Sequence, residues 1–191
     1  MLSKEEALKA FIDSGALMDG HFKLTSGRHS NKFMQCAQLQ KYPDLNEKVT
    51  GNLAEIFNND NIDIVIGPAM GGIIAAYELA KQLGKPGIFA ERENGAMSLR
   101  RGFQIKPGQR VLVVEDVITT GGSVREVIEV VKKSGGIVAG VAVLVDRSNG
   151  KVTFGVKQAA VLTLDISSWE QAECPLCKEG RSEAIKPGSR N

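Results

Sequence analysis

An α/β fold, with a central, mostly parallel sheet flanked by helices and a small N-terminal hood, is predicted by three observations. Two segments, 62–83 and 110–134, repeat the order apolar strand, glycine-bearing turn, helix. Their strands are near-continuous β-branched runs, as expected of strands buried on both faces. Strands alternating with helices indicate crossover units.

The 191 residues suffice for one compact unit with a single core, so one domain is expected: a hood over about 1–42, a core over about 43–170 and a tail over 171–191. A composition of 42% hydrophobic and 24% charged residues excludes a disordered chain. With 24 Lys and Arg against 22 Asp and Glu, there is little general attraction for nucleic acid or anionic membrane, and any anion site must be local. The first residues carry acids where a signal peptide carries an apolar run, and three cysteines form no disulfide framework, so the expected location is cytoplasmic.

In chain order, Ser3 and Glu6 form a capping-box pattern ahead of Ala7, Leu8, Phe11 and Ile12 at helical spacing, with Gly15 as the stop. From 19 to 42 the pattern is irregular, with a polar turn at 26–30 before the extended run 32–36. Leu45, Val49, Leu53, Ile56 and Phe57 mark one face of a helix over 44–57. The run 62–67 predicts a strand, Gly71-Gly72 a turn, and 73–83 a helix. The charged stretch 91–102 reads as an exposed, mobile loop. A strand over 110–114, a loop over 115–122, a helix over 123–134 and a strand over 137–145 complete the core. The tail from Cys174 reads as loosely structured.

The segment after the 110–114 strand carries the chemistry. A buried strand running into Glu115 and Asp116 ends where ligands of open parallel sheets bind. Thr119, Thr120, Gly121, Gly122 and Ser123 follow, and two glycines with successive N–H groups at a helix N-terminus make a phosphate cradle to which three hydroxyls add donors. No lysine follows the glycines, which argues against a Walker loop, and there is no dinucleotide fingerprint. Carboxylates this close to a phosphate must face sugar hydroxyls or a metal ion, so the implied ligand is a sugar phosphate.

The run from Val113 to Ser123 resembles the phosphoribosyl pyrophosphate motif of type I phosphoribosyltransferases. The resemblance implies that Glu115, Asp116, Val117, Ile118, Thr119, Thr120, Gly121, Gly122 and Ser123 bind that substrate, the loop holding the 5-phosphate and the acids the ribose hydroxyls. Three further segments, 22–30, 67–72 and 145–147, are similar to the hood, the pyrophosphate turn and the base-contacting strand end of the orotate phosphoribosyltransferase family. That likeness implies transfer of ribose phosphate to orotate in pyrimidine biosynthesis, with Thr119 and Arg147 on orotate, Mg2+ carried mainly by the substrate rather than by a protein metal site, and a homodimer. Asp116 and Arg92 are the implied catalytic residues, and Arg100 and Arg101 are further candidates for the pyrophosphate. The sequence departs from the family at 91–101, which has no lysine or histidine, and at Thr25 and Gly71, where better-known members carry lysines. Another nucleobase, or a regulator that senses phosphoribosyl pyrophosphate without turnover, are the rival readings.

Outside the motif, Cys36 reads as an ordinary buried thiol. Cys174 and Cys177 form a lone C-x-x-C, half of a zinc site, and read as a tail turn because no second ligand pair can be placed from the sequence. His29 falls in the hood turn, within reach of substrate, and His21 reads as incidental.

Overall fold

The structure, a computed structural model, describes residues 1–180 and 183–187; the part of the expected tail at 181–182 and 188–191 lies outside the described residues. Helix α1 (Lys4–Asp13) starts with the capping box: the Glu6 N–H donates to Ser3 Oγ and the Ser3 N–H to the Glu6 carboxylate. Strands β1 (Leu17–Lys23) and β2 (His29–Met34) then pair antiparallel, so the expected irregular hood is a two-stranded sheet. Its irregularity in sequence has a local cause, a register shift between Asp19 and Phe22 that breaks the period-2 pattern.

After the short α2 (Ala37–Gln40) and α3 (Pro43–Phe57), the core alternates β3 (Ile64–Pro68), α4 (Gly71–Leu83), β4 (Gly87–Glu93), β5 (Ala96–Leu99), β6 (Arg110–Ile118), α5 (Gly122–Lys133), β7 (Ile137–Asp146) and β8 (Gln158–Thr163). The six core strands form one sheet in the order β5-β4-β3-β6-β7-β8, parallel except for the β4/β5 pair. The mostly parallel α/β architecture is therefore as expected. Central strand β6 is covered on both faces. Leu112 and Val114 pack with α1, α3 and α4, while Val111 and Val113 pack with α5. All four are fully buried, each contributing about 1.5–3 kcal/mol, which fixes the height at which the following acids emerge.

Four expectations change. Glu115 and Asp116 belong to β6, because the strand continues alongside β7 through Ile118. The 91–102 stretch is a hairpin, not a loop: Asn94 and Gly95 both have positive φ, as a two-residue turn between right-twisted strands requires. Strand β8, Gln-Ala-Ala-Val-Leu-Thr, was not expected at all. Finally, the tail is organised: α6 (Pro175–Lys178) follows Cys174, and Ile185 bridges to Phe22, with the Lys23 N–H donating to the Ile185 carbonyl at 2.8 Å.

The turn from β3 into α4 is packed backbone on backbone. A Cβ at Gly67 would lie 2.4 Å from the Gly72 carbonyl oxygen and 3.0 Å from Ala76 Cβ. Gly67→Ala is therefore expected to push the start of α4 off the sheet and destabilise the fold by about 1–3 kcal/mol, read as a fall of several degrees in thermal unfolding midpoint.

Candidate active site

The carboxyl ends of β3, β6 and β7 open onto one face, and β6 delivers the acids there. Asp116 Oδ1 accepts from the Val117 N–H at 2.8 Å, and Glu115 Oε1 accepts from the Asp116 N–H at 3.2 Å. Glu115 is buried, and burial raises the pKa of both carboxyls; the charge of Asp116 raises that of Glu115 further, while the more distant Arg92 pulls it down. The pair is short of positive charge.

Above the pair lies the first turn of α4. A Cβ at Gly71 would sit 2.6–2.8 Å from the Asp116 carboxylate, and one at Gly72 would sit 3.1 Å from Glu115 Oε1. Glycine at these positions is thus what lets the turn close over the acids. The Gly71-Gly72 pair is helix rather than turn, and its role was not readable from sequence because the atoms it makes room for are more than 40 residues away.

The residues expected to form the cradle come together around one pocket. Arg92, Glu115, Val117, Ile118, Thr119, Thr120, Gly121, Gly122, Ser123, Val124 and Glu126 line a pocket of ≈ 270 Å³, which collects the predicted phosphate-binding residues save Asp116, which lines a separate cleft with Cys36 and Arg147. Gly121 caps α5 at φ 76°, and a Cβ there would strike Val152 and the Phe154 ring at 2.7–2.9 Å. The N-terminus of a 12-residue helix therefore points into a pocket shaped for a small anion.

Arg92 reaches this pocket but is not free in it: Nε and Nη2 donate to the two carboxylate oxygens of Glu126, at 3.1 and 2.7 Å. Arg100 pairs with Glu93 and Arg101 with Glu91. The three arginines thus each have an acidic partner, and Glu126, a pocket residue, is one the sequence did not single out.

A second cleft adjoins the cradle. Leu24, Thr25, Ser26, Phe33, Thr119, Thr120, Arg147, Ile166 and Ser168 line it, so Thr119 and Arg147 do converge. Arg147 does not pair with the adjacent Asp146, which accepts from the backbone N–H groups of Ser148 and Gly150. Arg147 Nε is buried and lacks a hydrogen-bond partner among the described residues, and burial lowers the guanidinium pKa. Cys36 is buried beneath, and its thiol pKa is raised well above the ordinary value by burial and then by Asp116 and Glu115, so it is held protonated and unreactive.

An anion cradle at a strand end, a carboxylate pair and a neighbouring cationic cleft define a transferase of activated sugar phosphates, and the comparisons agree. Residues 35–171 match the phosphoribosyl transferase domain, and the chain belongs to that family. It is 59% identical over 189 residues to an orotate phosphoribosyltransferase of Pelotomaculum thermopropionicum, covering 99% of both chains, and 55% identical to one of Desulforamulus reducens, covering 99% of this chain and 98% of that one. Among solved structures, the orotate phosphoribosyltransferase of Aeropyrum pernix superposes with a TM-score of 0.68 at 32% identity, over 82% of this chain and 92% of that one.

Two outcomes follow from the acid pair. The raised pKa of Glu115 means that the folded state binds a proton which the unfolded chain releases above its ordinary value of 4.5, so the group destabilises the fold progressively as pH rises above that value. Glu115→Gln should therefore gain thermal stability relative to the parent between about pH 5 and about pH 8, by more than ~1 kcal/mol; an unchanged difference between the two midpoints across that range would refute the shift. Gly71→Ala should displace the Asp116 carboxylate and lower transfer at least ~10-fold, with a far-ultraviolet spectrum like the parent's.

Proposed function

We propose that this chain, as one phosphoribosyltransferase domain, transfers the 5-phosphoribosyl group from phosphoribosyl pyrophosphate to orotate, giving orotidine 5'-monophosphate and pyrophosphate in pyrimidine biosynthesis. The observation that carries the acceptor is Arg147. A half-buried guanidinium whose buried Nε lacks a partner among the described residues, in the wall of the cleft beside the cradle, is better satisfied once an anion pairs with it. Orotate supplies a carboxylate whose two oxygens match the guanidinium fork, and uracil or a purine does not.

The residue roles follow the geometry. The N–H groups and hydroxyls of the segment from Thr119 to Ser123 hold the 5-phosphate, with Val117 and Ile118 setting the wall from which the cradle springs. Glu115 and Asp116 take the ribose hydroxyls. Thr119, shared by both pockets, sits where phosphate and base sites meet. Breaking the bond at the ribose leaves positive charge on the sugar and negative charge on the departing pyrophosphate. Asp116 faces the first, and Arg92, by exchanging Glu126 for the anion, faces the second. Burial raises the pKa of both acids, which fits a Mg2+ that would be carried by the pyrophosphate and would supply neutralising charge to the leaving group. The protein's share is positional and electrostatic, and no covalent nucleophile takes part. The active form is a cytoplasmic homodimer; no helix among the described residues is long and apolar enough to cross a membrane.

Mixing the protein with phosphoribosyl pyrophosphate, Mg2+ and orotate should consume orotate and release pyrophosphate together, with no turnover if any component is omitted. Turnover with a different base and none with orotate would replace the acceptor; tight binding with no release would make the chain a sensor. Arg147→Ala should raise the KM for orotate about 10–100-fold, from the loss of a charged hydrogen-bonded pair, with the KM for phosphoribosyl pyrophosphate changed far less. Thr119→Ala should lower kcat/KM for both substrates.

A further inference from the structure

We propose that the hood and the tail are joined by a structural zinc ion held by His21, His29, Cys174 and Cys177. The four ligand atoms all lie within 4.8 Å of one another. His21 Nε2 is 2.9 Å from His29 Nδ1, 3.5 Å from Cys174 Sγ and 3.6 Å from Cys177 Sγ, and Cys177 Sγ is 3.3 Å from His29 Nδ1. Tetrahedral zinc with Zn–S of about 2.3 Å and Zn–N of about 2.0–2.1 Å places N and S ligands ~3.5 Å apart and N and N ligands ~3.4 Å apart. Three of the four nitrogen–sulfur distances match, and the nitrogen pair is slightly close.

Hydrogen bonding does not account for this convergence. A ring nitrogen carries either one N–H or one lone pair, in the ring plane. His21 Nε2 nevertheless has three polar neighbours within 3.6 Å from three separate side chains. A shared cation satisfies all four ligands at once.

The elements deliver the ligands in the way such sites are built. His21 and His29 come from neighbouring strands β1 and β2, where His29 is opposite Lys23. Cys174 and Cys177 bracket the first turn of α6, and a spacing of three puts both thiols on one side. Both histidines and Cys174 are buried, and Cys177 is half-buried. Two thiolates and two imidazoles without a carboxylate select zinc over Mg2+ or Ca2+, and four protein ligands close the coordination sphere, so the role is structural. A cavity bounded by Lys23, Gln171 and Ala184 gives the ion access from solvent.

The clasp has a place in the architecture. Between its two halves runs the segment that walls the second cleft. Arg28 donates to Ser168 Oγ and to the Ser168 carbonyl, Ser30 Oγ donates to the Ser167 carbonyl, and His29 and Trp169 exchange backbone hydrogen bonds at 2.8 Å. Fixing His29 to Cys177 fixes Ser168 and Ile166 in the cleft. This last consequence rests on the acceptor reading above; the ion does not.

The test uses the full chain purified under reducing conditions from zinc-supplemented medium. Elemental analysis should give one zinc per chain. After chelation, titration with Co2+ should produce the visible absorption of a tetrahedral thiolate site, saturating at one equivalent and abolished by added zinc. Cys177→Ser and His21→Ala should each lose most of that absorption, and chelation should lower the unfolding midpoint by ~5 °C or more. Even if those variants fail to fold, the parent decides: absence of zinc together with absence of the cobalt spectrum overturns the proposal. So does an intact mass two hydrogens short with Cys174 and Cys177 linked as a disulfide under the same conditions. Zinc binding with an unaltered orotate KM on chelation would keep the site and remove only its link to the cleft.

Discussion

Two carboxyl groups, Glu115 and Asp116, are driven out of water at the end of a strand that has no freedom to move. β6 is locked between β3 and β7 and covered by helices on both faces, so the acids cannot retreat to solvent without breaking the sheet. Burial disfavours both charged forms, and the charge of Asp116 adds to the cost for Glu115. Much of the surrounding design follows from this constraint. Glycines at 71 and 72 let α4 start directly over the pair, and Gly67 lets that turn sit against the strand. Under the proposed function, the partner that brings them hydroxyls and positive charge is the activated sugar with its metal.

The same constraint separates what the sequence disclosed from what it concealed. β6, its acids and the cradle lie within fourteen consecutive residues, 110–123, so their chemistry was legible as a motif; α1, α3 and α5 carry unbroken 3.6-residue periodicity and were legible too. The missed elements share a physical feature: their patterns are set by distant neighbours. β1 is interrupted by a register shift, and β8 is half-buried by contacts with β7 and α3 rather than by its own composition. The hairpin was concealed differently. Charged residues suggested a solvated loop, although Asn94-Gly95 is a strong two-residue turn signal. Ion pairs such as Arg92–Glu126 and Arg101–Glu91 explain those charges within ordered strands. In the candidate site, the partners rather than the principals were hidden: Glu126 for Arg92, Gly71 for Asp116, Ser168 for the cleft.

The histidines illustrate the limit of local reading. His21 and His29 are separated from Cys174 and Cys177 by about 150 residues, so a C-x-x-C without a visible second pair was reasonably read as a turn. Pairing of the tail with the hood, through Ile185 on Phe22 and Trp169 on His29, brings the halves together. Position along the chain placed one histidine near substrate and dismissed the other; position in space puts both in one cluster.

The distribution of positive charge makes a final point about how such a site binds anions while carrying few lysines. Arg92, Arg100 and Arg101 are each matched to a glutamate, which removes the need for counter-ions in the ligand-free protein and keeps the hairpin from repelling itself. An exposed pair such as Arg92–Glu126 is weak, about 0–1 kcal/mol, so under the proposed function a pyrophosphate would exchange for the glutamate at little energetic loss. Arg147 is the opposite case: half-buried, with its Nε buried and unpaired among the described residues. Under the proposed function, the exposed arginines would supply attraction that salt can screen, whereas Arg147 would supply selectivity in a cleft where screening is slighter. The proposed function thus rests discrimination between acceptors on the group whose unliganded state is the least satisfied.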